Sequence, residues 1–194
     1  MISHLDPRQT LRRQLRQTRR SLSVDEQRNA AQALVMRTTK HFLDQQAQSP
    51  NKVALYLSND GEISPHLLCE YFWQQDIAIY LPVIQDKQLV FARYVPETKW
   101  QSNVYGIQEP TTTEHIAGAD LDIVFLPLVG FDSNGGRLGM GGGFYDRTFA
   151  NKKTDEKPLL IGLAHDCQEV KNLPVEGWDV PLQAIITPTQ FIKV

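Results

Sequence analysis

The chain has 194 residues, with 20 Lys and Arg against 22 Asp and Glu, a formal net charge of −2, and a content of 41% hydrophobic and 22% charged residues. A chain of this size buries roughly 70% of the surface it exposes when unfolded, so a single core forms without metal or disulfide staples. Cys69 and Cys167 are far apart with no partner spacing, which excludes a disulfide framework, a Cys-x-x-Cys redox pair and a thiolate zinc cluster.

Asp6-Pro7 predicts a helix start, with Asp as N-cap and Pro in the first turn. Leu11, Leu15 and Leu22 follow helical spacing, and Arg8, Arg12, Arg16 and Arg19 form a neighbouring stripe. All six charged residues from Arg8 to Arg20 are arginines, and Arg13 and Arg20 are expected to project from other angles of the same helix. The stripe is either a solvated face or an anion-binding face for a phosphate ligand or nucleic acid. Ser23-Val24-Asp25-Glu26 reads as a capping box opening a second helix, whose apolar face continues through Ala30, Ala31, Leu34, Val35 and Phe42. The helical section thus covers about residues 7–47, closed by Ser49-Pro50-Asn51.

Val53–Leu57 is the first strand, followed by the loop Ser58-Asn59-Asp60-Gly61-Glu62. Ser64-Pro65 opens a helix through Leu67, Leu68, Tyr71 and Phe72, whose aromatics, with Trp73, are assigned to the core. Ile77–Leu81 is a second strand expected to stop at Pro82, and Leu89–Val95 a third, with Gln85-Asp86-Lys87 as the turn between them. The apolar run Leu121–Leu126, stopped at Pro127, predicts a central strand covered on both faces. A short helix is expected near Phe144–Ala150, and later strands at Leu159–Ala164 and Ala184–Thr187. Strands alternating with helices give one α/β domain over residues 1–194, a three-layer α/β/α arrangement around a largely parallel, mixed sheet. No apolar run reaches the ~18 residues of a membrane span, and Met1 is not followed by an apolar leader, so a cytoplasmic location without membrane contact is expected.

The chemistry concentrates after the central strand. Six of the 12 glycines fall in positions 135–143. A turn needs one or two, and each extra glycine costs conformational entropy on ordering. Between a central strand and a helix, such a loop is where open α/β sheets bind ligands, and its N–H groups favour phosphate. It lacks the Gly-Lys-Ser/Thr of a Walker A loop and the last glycine of a dinucleotide fingerprint, so cationic partners for a triphosphate must come from Arg137 and the N-terminal arginines.

Arg137-Leu138-Gly139-Met140-Gly141-Gly142-Gly143-Phe144-Tyr145-Asp146 resembles the signature of the 5-formyltetrahydrofolate cyclo-ligase family. Pro127-Leu128-Val129-Gly130-Phe131-Asp132, Arg8-Gln9-Thr10-Leu11-Arg12, Gly61-Glu62-Ile63 and Gly106-Ile107-Gln108-Glu109-Pro110 agree in order. The resemblance implies a sugar-phosphate isomerase/CoA-transferase-like fold. It also implies an ATP- and Mg²⁺-dependent ring closure of 5-formyltetrahydrofolate to 5,10-methenyltetrahydrofolate, by a monomer acting on small molecules and not on nucleic acid. Carried over residue by residue, Arg8 and Arg12 would clamp ATP phosphates. Arg137, Leu138, Gly139, Met140, Gly141, Gly142, Gly143, Phe144 and Tyr145 would wrap the nucleotide, with Arg137 and Tyr145 as catalytic groups. Met140 through Phe144 would also border the folate, Glu62 would meet its pterin, Leu57 would line that pocket, and Asp146 would hold Mg²⁺. Phe144 stands where the family has Tyr, which keeps the ring and removes a hydroxyl. Gln183 in Asp179-Val180-Pro181-Leu182-Gln183 stands where it has a second Asp, leaving only a neutral carbonyl for a metal. His165-Asp166 lacks an independently supported serine or cysteine nucleophile and is assigned a structural role, and both cysteines are assigned as buried thiols. The competing assignments are a phosphate-binding enzyme of the same scaffold, related to sugar-phosphate isomerases or CoA-transferases, and a nucleic-acid module using the arginine helix.

Overall fold

The computed structural model describes residues 6–45, 48–154 and 156–194. Helix α1 spans Pro7–Arg20, with the Asp6 carboxylate accepting the Arg8 N–H, and α2 spans Val24–His41 with the Ser23/Glu26 capping box formed in both directions. The expected end of the helical section near residue 47 falls outside the described residues. Strand β1 (Lys52–Ala54) leads through the Glu62 loop to α3 (His66–Gln74), and the hairpin β2 (Ala78–Gln85) and β3 (Gln88–Tyr94) follows. The short strands β4 (Trp100–Ser102), β5 (Gln108–Pro110) and β6 (His115–Ile116) precede the central β7 (Ile123–Pro127). Beyond it lie β8 (Gly130–Phe131), β9 (Arg137–Leu138), α4 (Phe144–Thr148), β10 (Leu159–Leu163), β11 (Ala184–Ile186) and β12 (Phe191–Lys193).

The main sheet has the order β12-β11-β10-β7-β1-β2-β3-β6. The pairs among β11, β10, β7, β1 and β2 are parallel, and the antiparallel pairs β11–β12, β2–β3 and β3–β6 lie at its margins. This is the expected mixed α/β sheet. One face packs Val53, Leu55, Phe125 and Ile161 against Leu34, Leu68 and Phe72 of α2 and α3. The opposite face packs Ala54, Val124, Leu126 and Ile185 against Phe149, which caps α4, and against Val180 and Leu182. Its cover is therefore one short helix plus irregular chain.

Several sequence expectations change: β1 ends at Ala54 and not at Leu57, and β7 runs from Ile123 through Pro127. Strand β2 does not stop at Pro82: it runs on to Gln85, with Pro82 opposite Phe91 of β3. Its parallel partner β1 has already ended opposite Tyr80, so from Pro82 onward the strand has an open side where a missing N–H costs no ladder bond. Gly135 and Gly136 belong to the turn of the β8–β9 hairpin and not to the ligand loop, because Asp132 Oδ1 accepts the N–H groups of Asn134 and Gly136. Helix α1 does not reach Leu22, since Ser21 caps it, and α1 does not cover the sheet. It lies across the C-terminal ends of the parallel strands, its Leu15 packed with Val129, Leu138 and Leu173.

Candidate active site

Two neighbouring strands deliver the predicted site. β1 feeds the loop carrying Asp60 and Glu62, β7 feeds the chain that becomes the glycine loop, and α1 lies against both. This is the carboxyl edge of the sheet, where open α/β folds place ligands.

The glycine loop contracts to residues 139–143. Arg12 Nε donates to the Gly139 carbonyl at 2.9 Å, fixing loop against helix. Gly141 and Gly143 have φ of +97° and +64°, and Gly143 serves as N-cap of α4. A side chain at either would strain that backbone. Between α1 and the loop opens a cleft of about 500 Å³ lined by Gln9, Arg12, Arg13, Arg16, Arg20, Met140 and Gly141. Arg13 and Arg20, expected to point elsewhere, thus share this cleft. Burial, then the neighbouring Arg8 charge, lowers the Arg12 pKa, so the group gains from an anion. Neither Arg12 nor Arg13 is in an ion pair among the described residues.

The other four arginines are committed. Arg8 forms a fork with Asp179, at 3.0 and 3.2 Å. Arg16, Arg19 and Arg20 all pair with Asp60. Burial favours the neutral Asp60 carboxyl, but the bonds from Arg16, Arg20 and Arg19 outweigh it and hold the group well below the usual carboxylate range. Of the six arginines on the helix, Arg12 and Arg13 thus keep their charge toward the cleft.

Arg19 is fully buried, which its sequence position does not disclose. Its Nε donates to the Asp60 carbonyl (2.8 Å), Nη1 to the Leu128 carbonyl (2.9 Å) and Nη2 to Asp60 Oδ2 (2.8 Å). Met140 Sδ lies 3.8 Å from Nη2, and Glu62 Oε1 3.7 Å. Arg19 thereby joins the β1 loop to the glycine loop. Gly61 permits the approach, since a Cβ there would sit 3.1 Å from the Arg19 carbonyl oxygen.

Burial raises the Glu62 carboxyl to about 7, against a hydrogen bond from the Asn59 N–H and the Arg19 charge. Tyr56 and Tyr145 are held in their neutral forms, first by burial and next by the negative charge of Glu62. The Tyr56 hydroxyl donates to the Ile63 carbonyl. Leu57 lies on the edge of the core beside this group, half-buried. His165 is 3% exposed, burial lowers its pKa to about 4, and its Nε2 has no hydrogen-bond partner. It stays neutral behind the Gly61 backbone. Cys69 is buried, which pushes its thiol up to about 12, whereas Cys167 is only half-buried.

On the far side of the loop, buried Arg137 donates from Nε to the Val180 carbonyl (3.0 Å) and pairs with Asp146. Asp146 Oδ1 also accepts the Val180 N–H at 3.0 Å. Gln183 has its oxygen on the Leu160 N–H (2.6 Å) and its amide nitrogen near the Thr154 carbonyl (3.3 Å), bridging the start of β10 to the preceding loop.

The family model for the 5-formyltetrahydrofolate cyclo-ligase family matches residues 5–188. The chain belongs to this family. It is 44% identical to the 5-formyltetrahydrofolate cyclo-ligase of Haemophilus influenzae, with 92% of this chain and 96% of that one covered. It is 39% identical to the Escherichia coli protein of the same name, with 91% and 97% covered. The structure superposes on the 5,10-methenyltetrahydrofolate synthetase of Aquifex aeolicus with a TM-score of 0.79 and 27% identity, covering 96% and 92% of the two chains. The protein is accordingly a ligase of folate one-carbon metabolism with ATP as co-substrate. No helix among the described residues is long and apolar enough to cross a membrane. As a cyclo-ligase it should hold one reduced folate and one triphosphate. Glu62 and the arginine cleft adjoin each other through Arg19 and Met140.

Proposed function

We propose that this protein closes 5-formyltetrahydrofolate to 5,10-methenyltetrahydrofolate, with the triphosphate in the cleft between α1 and residues 139–143 and the pterin at Glu62. The observation that carries the proposal is Arg12, fixed by Nε on the loop carbonyl of Gly139 with no carboxylate on its remaining N–H groups. The formyl oxygen attacks the γ-phosphorus and ADP leaves. N10 then adds to the formyl carbon, the carbon–oxygen bond breaks as phosphate departs, and N10 gives up its proton. The formyl oxygen leaves poorly as hydroxide and well as phosphate, and the protein's part is positioning and charge neutralisation.

Arg12, with Arg13 beside it, holds the phosphates. Arg8 stands one turn away on Asp179. Ionised Glu62 accepts paired hydrogen bonds from the aminopyrimidinone edge of the pterin. Tyr145, neutral beside Glu62, keeps a hydroxyl proton to donate toward the reacting oxygen. Arg137 fixes Asp146 under the loop, and Met140 through Phe144 border both ligands. No group of three or more His, Cys, Asp or Glu among the described residues is disposed to hold a metal. We therefore assign Mg²⁺ to the substrate as Mg-ATP, neutralising phosphate charge, with Asp146 as the carboxylate that would meet it.

Purified protein given Mg-ATP and 5-formyltetrahydrofolate should form the methenyl product with one ADP per turnover. Product without ATP, or ATP without product, overturns the proposal. Two substitutions refine it. Arg12→Ala should raise the ATP KM by roughly 1.5–3 kcal/mol, the range for hydrogen bonds to charged groups, whereas exposed Arg28→Ala stays within about 0.5 kcal/mol. Gln183→Asp should leave the Mg²⁺ titration unchanged and lower stability by about 1 kcal/mol, because the shorter side chain loses the Leu160 and Thr154 bonds. A tighter Mg²⁺ response would place position 183 on the metal.

A further inference from the structure

We propose that Arg147, which nothing above assigns to the reaction, is a positioning residue that holds the glycine loop in its nucleotide-binding shape. The inference rests on reading that loop as the ATP site.

Helix α4 has only five residues, too few to be stable alone. It is tied from outside to the β2–β3 hairpin. The two strands are joined by a two-residue turn, Asp86-Lys87, between the paired Gln85 and Gln88. Asp86 adopts φ +55°, so the direction of the Lys87 carbonyl is set by the hairpin. Three contacts strap α4 to this strut. The Leu89 N–H donates to Thr148 Oγ1 at 2.8 Å, Gln88 Nε2 donates to the Arg147 carbonyl at 3.2 Å, and Arg147 Nε donates to the Lys87 carbonyl at 2.6 Å.

The last contact differs from the others, because the same guanidinium reaches the loop. Arg147 Nη2 donates to the Gly142 carbonyl at 2.7 Å, and the group lies 5.1 Å from the centroid of the Phe144 ring. Its fork therefore bridges a fixed point on the sheet and the residue between two left-handed glycines. Holding the Gly142 carbonyl outward fixes the plane of the Gly142–Gly143 peptide, and with it the direction of the Gly143 N–H. Arg12 pins the front of the loop at Gly139, and Arg147 pins its back. A glycine-rich loop left free would have to lose that entropy on binding ATP; pinned at both ends, it has lost it already. Phe144 contributes a ring without a hydroxyl, which packs on the second face of the sheet with Arg147 over it and the Tyr105 ring edge-on at 6.1 Å.

The test compares Arg147 with the rest of the strap. Arg147→Ala should raise the ATP KM by about tenfold while the 5-formyltetrahydrofolate KM stays within about twofold. Arg147→Lys, able to reach one carbonyl but not both, should fall between. Thr148→Val loosens α4 without touching Gly142 and should leave the ATP KM within about twofold. An unchanged ATP KM in Arg147→Ala, or the same rise in Thr148→Val, overturns the proposal. Activity of the unmutated protein in the same assay keeps this result separate from the test of the reaction itself.

Discussion

Arg19→Met is expected to lower folding stability by about 3–5 kcal/mol, the effect of leaving one member of a buried ion pair without its partner. Methionine fills a similar space, so the loss comes from polar groups and not from a cavity. Arg19 supplies donors to the carbonyls of Asp60 and Leu128 and to the Asp60 carboxylate. Gln168 Nε2 also donates to the Leu128 carbonyl at 2.6 Å, so that oxygen keeps a partner. The Asp60 carbonyl and carboxylate are the groups that suffer. The contrast is Arg20→Met. Arg20 pairs with the same carboxylate, but its side chain is 55% exposed, and an exposed pair contributes about 0–1 kcal/mol. Urea unfolding of the two variants separates them. A loss within about 1 kcal/mol for Arg19→Met would mean that Arg16 and Arg20 suffice to hold Asp60. At a temperature where the variant stays folded, folate turnover should also fall, because Glu62 loses its nearest cation and its carboxyl moves up from about 7.

That pair of neighbours marks the limit of what the sequence discloses. Arg19 and Arg20 are adjacent and chemically the same, yet one side chain is fully buried and the other half exposed. The difference depends on β1 carrying Asp60 onto the underside of α1, a contact between residues 41 positions apart. No local pattern encodes it. Features set by near neighbours were legible: the Asp6 cap, the Ser23 capping box, the turn at Asp86, and a central strand, expected over 121–126 and found over 123–127. The glycine loop at 139–143 was legible from its glycine density, but the use of Gly135 and Gly136 in the β8–β9 turn was not. Strands β4 and β5 were not. All but Pro110 are polar or exposed, and what organises that hairpin is buried Glu109, accepting from the Ile84 N–H and the Asn103 side chain. Alternation carries no trace of such a bond. The arginine stripe could be read from spacing, but its division into Arg12 on the loop carbonyl, a fork with Asp179 and a triad around Asp60 is a property of the tertiary fold.

Glu62→Gln is expected to weaken the enzyme and strengthen the fold. A glutamine keeps the shape and can still accept the Asn59 N–H, but it turns an amide toward the pterin edge and loses the charge that two donors there would share. The 5-formyltetrahydrofolate kcat/KM should fall by roughly 1–3 kcal/mol in transition-state terms, with the ATP KM nearly unchanged. Stability should move the other way. The Glu62 carboxyl has a pKa near 7 in the folded protein against an ordinary value of 4.5, so between those limits the folded chain binds a proton that the unfolded chain has released. Stability from this group is therefore present below about pH 4.5 and is lost as pH rises to 7 and beyond, a loss of roughly 3 kcal/mol at 1.36 kcal/mol per unit. Glutamine never ionises. The variant should match the parent at pH 5 to within about 1 kcal/mol and exceed it at pH 8. The parent's folate affinity should decline as pH falls through 7, while the variant's stays flat in that window. Thermal unfolding at the two pH values, with folate KM measured alongside, reads both. A gap that does not widen with pH would mean that Glu62 is already ionised at pH 5, and equal losses of folate and ATP affinity would mean that it supports the loop and does not meet the pterin.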